Sequence, residues 1–290
     1  MHNIYFNNRL KCTASRFDEL SADQLLDIVD VMHSRLSFDQ KVARYTMILM
    51  DFKRDWRSAW NWLFRLSADD KMDIARITEF IHEEPQLTKN LLPVLKIGHL
   101  WKKSQYLYGP GHKLKKMVFM EFIKCEVYFL KFHNLYKKEK QLTKDAVSAL
   151  DMLVATLYRP ARKNVDDEAF NGDLRRKYND DQVEWIALHV KKLSLNVKLS
   201  ILIFYTSCRL EMIKPYRHLY PEMPKPEDPK QNSETTDIKG TDWMEALNSI
   251  AGGSLSLHGD KAAMADARLA LKDLDNIIKE NKRREALKPK

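Results

Sequence analysis

The stretch from Ser21 to Met32, SADQLLDIVDVM, carries the clearest fold signal in the chain. Ser21 and Gln24 have the spacing of a capping box, in which the serine oxygen accepts a hydrogen bond from the third helical N–H and the glutamine reaches back to the cap. The apolar residues that follow recur at the three-, four- and seven-residue spacing of one helix face, namely Leu25, Leu26, Val29 and Met32. The stretch therefore predicts an amphipathic helix with one buried side.

The same kind of signal recurs outward from this helix. Ser37 with Gln40 repeats the capping box, and Ser67 with Asp70 is a looser version. Only 8 glycines and 10 prolines occur in 290 residues, so helix formers are abundant and sheet punctuation is scarce. Further helices are predicted over 95–107, 113–136, 142–158, 181–193 and 195–213. The composition and these patterns together predict an all-α fold.

Aromatic residues mark one of the predicted helices. Trp56, Trp60 and Phe64 recur every four residues, which places them on one helix face, and Trp62 lies between them. A stripe of this size is more typical of a buried core than of a ligand platform. We therefore expect these rings to pack inside the protein.

Prolines divide the chain into three parts. We predict a helical body over 1–220 with a sub-boundary near 85–93, a Pro-rich flexible linker over 221–242, and a short C-terminal helical tail over 243–290. The tail has an apolar face that either seeks a partner or docks back on the body. Our prediction is a helix-in-groove contact with a partner. The residues assigned to it are Trp243, Leu247, Met264, Leu271, Leu274 and Ile278.

The net charge of +9 resides in the first part of the chain, because Lys and Arg outnumber Asp and Glu by 37 to 27 over residues 1–220 but number 12 against 13 over 221–290. Such a surplus favours nucleic acid, an anionic membrane or an acidic protein as a partner. Basic residues that could bind phosphate are Lys102, Lys103, Lys113, Lys115, Lys116 and Arg159. Tyr106, Tyr108 and His112 lie among them, as in surfaces that stack on single strands, although a turn packed by tyrosines explains the same residues.

Reactive motifs are scarce in the sequence. No histidine lies within five residues of another, and no glycine-rich phosphate loop occurs, so we expect no metal, no nucleotide and no other cofactor. Glu121 with Glu126, and Glu184 with His189, are spaced five residues apart and form no local acid/base dyad. Catalysis would need Glu121, Glu126, Arg159 and Glu184 to converge from distant segments. The protein is therefore predicted not to be an enzyme.

Cysteine usage and hydropathy indicate the compartment. Cys12, Cys125 and Cys208 are far apart and suggest no disulfide framework, which favours a reducing environment. The N-terminus has no signal-peptide pattern, and the longest apolar run, Leu199–Cys208, is about half of the roughly 20 residues that a bilayer span requires. We expect a cytoplasmic protein with no membrane partner.

Six short segments carry a family resemblance. They are LTKNLLP (87–93), YGPG (108–111), FMEF (119–122), Glu126 with Tyr128 and Phe129, LYRP (157–160), and Phe204-Tyr205 with Cys208-Arg209. In these segments, which span about half of the chain, the sequence resembles helical proteins encoded in phages and prophages of Bacteroides-type bacteria.

The resemblance implies a virion-assembly function. It suggests a non-enzymatic, chaperone-like role in tail assembly, with other phage structural or assembly proteins as partners. The corresponding location is the host cytoplasm or the virion. The family has no established catalytic residues, so the resemblance assigns none here. The alternative function, which rests on charge, is that of a basic nucleic-acid-binding helical protein.

Overall fold

A computed structural model describes residues 1–6, 9–52, 56–98, 105–162, 172–220 and 243–287. The chain is mostly helical. The α-helices are α1 (Ala22–Met32), α2 (Phe38–Leu49), α3 (Trp56–Phe64), α4 (Ala68–Ala75), α5 (Glu79–His82), α6 (Phe119–Glu139), α7 (Lys144–Leu157), α8 (Val183–Val190), α9 (Leu195–Ile213), α10 (Trp243–Ile250), α11 (Leu255–Ala263) and α12 (Ala267–Ala286).

The all-α prediction holds only in part, because antiparallel strands are present. The strands are β1 (His2–Phe6), β2 (Arg9–Thr13), β3 (Val94–Ile97), β4 (Gln105–Tyr108) and β5 (Arg159–Pro160). β1 and β2 pair as a hairpin, and β3, β4 and β5 form a three-stranded sheet in that order. The helix predicted over 95–107 is therefore wrong where the structure describes it, since both of its ends are strands.

The chain forms two compact units, which we describe separately. Unit 1 comprises Met1–Leu92 and Ser194–Cys208, and unit 2 comprises Pro93–Leu193 and Arg209–Lys290. The first boundary between the two units, between Leu92 and Pro93, lies within the predicted sub-boundary near 85–93. The rest of the predicted division differs, because helices of the 243–290 tail belong to the same unit as residues 93–193. The predicted linker, 221–242, lies outside the described residues.

In unit 1 the predicted helix starts are confirmed. Ser21 and Ser37 each accept a hydrogen bond from the backbone of the glutamine three residues on, and each glutamine side chain bonds back to the cap. Helices α1 and α2 pack together and bury Leu25, Ile28 and Val29 of α1. The segment at 88–89 is tied to the rest of the unit by Asp18, which accepts hydrogen bonds from the Thr88 and Lys89 N–H groups at 2.6 and 2.8 Å.

The expectation that the aromatic stripe on α3 packs inside the protein is wrong for Trp60 and Phe64. Trp60 is 55% exposed and Phe64 is exposed as well, with their ring centroids 4.4 Å apart, whereas Trp62 is 5% exposed and packs near Phe52. Two residues along a helix turn the side chain by about 200°, so Trp62 and the Trp60–Phe64 pair lie on opposite faces. Among the α3 rings whose side chains the structure describes, the buried one, Trp62, lies outside the predicted stripe.

Unit 2 is built around α6, which begins at Phe119 and not at the predicted Lys113. Residues 112–114 form a 3-10 turn, and Lys113, Leu114 and Lys116 adopt positive φ angles of 56°, 53° and 64° that no helix accepts. Helix α6 packs against α7 and buries Phe119, Phe122 and Phe129. The turn at Gly109–Gly111 thus leads from the sheet into the central helix by way of residues 112–118.

The C-terminal helices dock on α6 in unit 2. The rings of Phe119 and Phe122 meet Trp243 edge-on at 6.2 and 5.7 Å between centroids. Ala267 N–H donates to the Met117 carbonyl at 3.0 Å, and Phe119 N–H donates to the Ala265 carbonyl at 2.8 Å. Of the two alternatives that the sequence left open for this face, docking back on the chain describes the structure.

This docking corrects the expectation that the tail presents an open apolar face. Trp243, Leu247, Leu271 and Leu274 are buried, Ile278 is partly exposed, and Met264 is exposed. The predicted helical tail contains a break around Met264 between α11 and α12, where Asp266 pairs with Val118 and caps α12. A partner could reach most of the six residues only if these helices left α6.

None of the helices in the described ranges combines the length and apolar character needed to cross a bilayer.

Candidate functional site

The most distinctive surface of unit 2 is a groove beside the three-stranded sheet, which we call the aromatic groove. Tyr106 and Trp185 are 49% and 47% exposed, so about half of each aromatic residue is accessible. Leu107, the next residue of β4, is buried and also lines the groove. The groove has a volume of about 270 Å³ and is lined by Gln105, Tyr106, Leu107, Pro160, Arg176 and Trp185.

Strand pairing explains how β4 presents its tyrosine. Leu107 pairs with Leu95 of β3 and Pro160 of β5, and both leucines are buried. The neighbouring pair, Tyr106 opposite Lys96, must point to the other face because side chains alternate along a strand. Lys96 is exposed, so a cation stands beside the open tyrosine.

Arg176 is held at the groove by its backbone. Its N–H donates to the Pro160 carbonyl at 2.9 Å, Arg162 N–H donates to the Leu174 carbonyl at 2.8 Å, and Ala161 forms an isolated bridge with Arg175. The chain at 174–176 therefore extends the sheet beyond β5. Within the described residues no hydrogen bond or ion pair engages the Arg176 guanidinium.

Trp185 is supported from its own helix. The His189 ring lies 4.5 Å from the Trp185 ring at an angle of 51°, and His189 Nδ1 is 3.0 Å from the Trp185 carbonyl oxygen. A four-residue spacing places both side chains on one face of α8. His189 therefore contacts Trp185 through both its ring and a backbone hydrogen bond.

A buried ionic cluster lies beneath the segment that carries Arg176. Glu121 of α6 binds Arg159 at 3.0 Å and Arg175 at 2.5 Å. Arg175 also binds Asp173 at 3.0 Å and donates to the Leu157 carbonyl at 2.9 Å. Two carboxylates balance two guanidinium groups, so the ionic cluster has no net charge. Such an arrangement fixes β5 and residues 173–175 on the central helix.

The environment of the ionic cluster shifts several pKa values. Burial lowers the pKa of Arg159, although Glu121 opposes that shift. Burial acts in the same direction on Arg175, but Glu121 and Asp173 outweigh it and leave its pKa above the usual value. Burial, reinforced by Glu121 and Glu126, raises the pKa of the Cys125 thiol. A thiol in this position favours its neutral form.

A second buried ion pair uses the other glutamate of α6. Arg209 binds the two oxygens of Glu126 at 2.6 and 2.7 Å, and its guanidinium lies 4.9 Å from the centre of the Phe129 ring. Burial raises the pKa of nearby Tyr220, and Glu126 adds to the shift. Glu121 and Glu126 thus serve separate arginines, which agrees with the prediction that they are ion-paired and form no dyad.

The predicted phosphate-binding residues lie in different environments in the structure. Arg159 is buried in the ionic cluster, which corrects its assignment to a phosphate contact. Lys113 is exposed and binds Glu211 at 2.7 Å, and Lys115 and Lys116 are also exposed. Lys102 and Lys103 lie outside the described residues.

Two residues of the aromatic groove were missed from the sequence. The sequence patterns described above assign no function to Arg176 or Trp185. A sequence signal for Trp185 does exist, because the buried residues of α8 are Val183, Ile186 and Val190. Their three- and four-residue spacing leaves the tryptophan on the outward face.

No protein family, no curated protein and no solved structure matches this chain.

Proposed function

We propose that unit 2 binds single-stranded nucleic acid at the aromatic groove. The observation that carries the proposal is the grouping of two half-exposed aromatic residues, Tyr106 and Trp185, with Arg176 in one groove. Aromatic rings stack on nucleobases of any sequence, and an adjacent cation binds the phosphate or stacks on the base. Lys96, opposite Tyr106 on the same sheet face, supplies a second cation.

The distribution of charge supports this assignment. Residues 93–193 contain 20 Lys and Arg against 12 Asp and Glu, whereas 1–92 together with 194–208 contain 14 of each. Nearly all of the surplus of +9 therefore belongs to the segment that forms the groove. Since phosphate attraction supplies most of non-specific nucleic-acid affinity, this segment is the one expected to bind.

The size of the groove favours a single strand. A volume of about 270 Å³ accepts one planar base between side chains but not the width of a duplex. In a duplex the base faces are stacked on their neighbours, so Tyr106 and Trp185 would meet only the backbone. A single strand offers the base faces directly.

The first test replaces Trp185 with alanine. Binding of a fluorescein-labelled oligo-dT of about 15 nucleotides, followed by anisotropy at low salt, should weaken by about 5- to 150-fold, the factor that corresponds to roughly 1–3 kcal/mol for one stacked base. Tyr106→Ala should show a loss in the same range.

Trp60→Ala is the matched control, because Trp60 is similarly exposed but belongs to unit 1. Its affinity for the oligonucleotide should equal that of the unaltered protein. Equal losses for Trp60→Ala and Trp185→Ala, or no binding to the unaltered protein at low salt, would contradict the proposal.

A second prediction concerns salt. The logarithm of the association constant should fall linearly with the logarithm of salt concentration, at about −0.7 for each phosphate neutralised on a single strand. Lys115 and Lys116 are exposed in the segment with the charge surplus, so Lys115→Glu with Lys116→Glu should flatten the slope by about 1–1.5. An unchanged slope would place these two lysines away from the bound strand.

Virion assembly, the function that the resemblance implies, stays a separate proposal and has its own surface. The exposed Trp60–Phe64 pair on α3 is typical of a protein contact. Replacing both rings with alanine should reduce co-purification with phage particles or their structural proteins and leave oligonucleotide affinity unchanged. Undiminished co-purification would remove the support for this surface.

A further inference from the structure

Residues 112–118 of unit 2 adopt a strained conformation between strand β4 and the central helix. Lys113, Leu114 and Lys116 have φ angles of 56°, 53° and 64°. This left-handed region brings the Cβ atom of an L-residue close to the following carbonyl oxygen, so residues other than glycine seldom adopt it. Strain of this kind persists only where the surrounding structure enforces it. Three such residues within four positions therefore indicate a restraint from elsewhere in the fold.

The sequence of this segment favours a helix. Residues 113–117, KLKKM, consist of Lys, Leu and Met, which are good helix formers, and the nearest helix-breaking residues, Pro110 and Gly111, precede them. The sequence alone predicts a helix that begins at Lys113, whereas α6 begins at Phe119. Because local preference and observed conformation disagree here, tertiary contacts must determine the conformation.

The C-terminal helices supply these contacts through the backbone. The Phe119 N–H donates to the Ala265 carbonyl at 2.8 Å, and the Met117 carbonyl accepts from the Ala267 N–H at 3.0 Å. Val118 lies between these bonds and forms an isolated bridge with the cap residue of α12. Val118 gives α6 no side-chain cap, so the Ala265 carbonyl satisfies one of the N–H groups that the first turn of a helix leaves unpaired.

Further contacts hold the strained turn itself. The Arg268 guanidinium donates to the Lys113 carbonyl at 2.8 Å, and the Lys113 ammonium binds Glu211 at 2.7 Å. The Tyr216 hydroxyl donates to the Arg268 carbonyl at 2.9 Å, which fixes the start of α12 in turn. The position of the C-terminal helices and the conformation at Lys113 are therefore directly connected.

A longer α6 and a docked tail compete for the same backbone groups. In an α-helix each N–H donates to the carbonyl four residues earlier. If α6 began before residue 115, the Phe119 N–H would donate to the Lys115 carbonyl. The Met117 carbonyl would accept from the Glu121 N–H. The C-terminal helices engage both the Phe119 N–H and the Met117 carbonyl, so the present docking and the longer helix exclude each other.

We propose that residues 112–118 form a conformational switch controlled by the C-terminal helices. While the tail is docked, the segment keeps its strained turn. When the tail leaves, residues 113–118 join α6 and lengthen it by more than one turn. A partner that binds the buried apolar face of the tail thus also changes the start of α6, and the released strain offsets part of the lost docking contacts. The inference goes beyond the proposed nucleic-acid function and does not depend on it.

Glycine and alanine substitutions measure the strain by thermal unfolding. At Lys116, whose φ is 64°, the glycine variant should melt about 2–4 °C higher than the alanine variant, because glycine adopts this conformation without strain. Lys115 is the matched control, since it is also an exposed lysine but has a φ of −57°. There the alanine variant should melt at the same temperature as the glycine variant or higher. The same order at both positions would overturn the strained turn.

Displacing the tail tests the switch. In the full chain, Trp243→Ala with Leu271→Ala removes two buried side chains of the tail, and binding of a hydrophobic dye reports its release. Val118 has an extended backbone, with φ −84° and ψ 157°, so its Cα chemical shift should move to the helical range on release. A Val118 that stays extended in the dye-binding protein would contradict the proposal.

A milder variant keeps the test valid if the double variant unfolds. Ala267 is the first residue of α12, where proline is favoured, and Asp266 before it has the φ of −59° and ψ of 129° that a following proline requires. Ala267→Pro therefore removes the N–H that binds Met117 and keeps α12. It should move the Val118 Cα shift toward the helical value, whereas the control Ala22→Pro, at the first position of α1, should not. Equal results for the two proline variants would show that the tail does not control this segment.

Discussion

Glu121→Gln is expected to destabilise unit 2 by about 3–5 kcal/mol, among the largest effects of any single substitution in this chain. Glu121 is fully buried and binds both Arg159 and Arg175. A glutamine fills the same space but leaves two buried guanidinium groups opposite one carboxylate, that of Asp173. An uncompensated charge in a low-dielectric interior destabilises the folded state by far more than the original ion pair stabilised it.

Urea unfolding followed by circular dichroism measures this effect, and a double variant tests its cause. Glu121→Gln with Arg159→Gln restores electrical balance, so its destabilisation should be smaller than the sum of the two single effects. Glu280→Gln, which breaks an exposed pair with Arg284, should produce no measurable change. Strict additivity of the Glu121 and Arg159 effects would show that charge balance is not what the ionic cluster provides.

The same variant links the ionic cluster to the aromatic groove. Arg175 is anchored by Glu121, and the next residue, Arg176, lines the groove. Loosening residues 173–176 should therefore also weaken oligonucleotide binding, even under conditions where unit 2 remains folded. Glu121 acts on the ligand only through the position of Arg176, so the salt slope should flatten by no more than about 0.7, the contribution of one phosphate contact on a single strand.

Helices with local signals were predictable from the sequence. The capping boxes at Ser21 and Ser37 begin α1 and α2, and α9 spans Leu195–Ile213 as predicted. Each signal depends on residues no more than about seven positions apart, which is the range over which helix contacts repeat. Local patterns of this kind hold regardless of what the rest of the chain does.

The strands were missed because they are short and their partners are distant. β3 has four residues, with alternating exposed and buried positions from Val94 to Ile97, too few to distinguish a strand from one turn of helix. β5 has only two residues and pairs with β4 across about 50 positions of sequence. Tertiary pairing, and not intrinsic propensity, determines the structure of these segments.

The site was only partly predictable for the same reason. From the sequence, catalysis requires Glu121, Glu126, Arg159 and Glu184 to converge. Glu121 and Arg159 do converge, but Glu126 pairs with Arg209 and Glu184 is exposed. The contact between Glu121 and Arg175 joins positions 54 residues apart. Only the folded path of the chain brings such residues together, and here it joins them as balanced ion pairs.

The second large effect is expected at the C-terminal helices. Trp243→Ala should destabilise unit 2 by about 3–5 kcal/mol, because it removes a buried ring that packs edge-on against Phe119 and Phe122. Thermal unfolding followed by circular dichroism provides the measurement. Trp243→Phe keeps an aromatic ring and removes the indole N–H, which has no hydrogen-bond partner among the described residues, so its effect should be much smaller.

This result distinguishes a docked tail from a free partner-binding arm. If the tail is a free arm, Trp243→Ala and deletion of 222–290 leave the melting of residues 1–220 unchanged. If it is part of unit 2, deletion uncovers Phe119 and Phe122 and breaks the backbone hydrogen bonds that Met117 and Phe119 make with residues 265–267. The truncated chain should then melt at a lower temperature and expose apolar surface that binds a hydrophobic dye. An unchanged melt would restore the free-arm interpretation and with it the predicted partner contact.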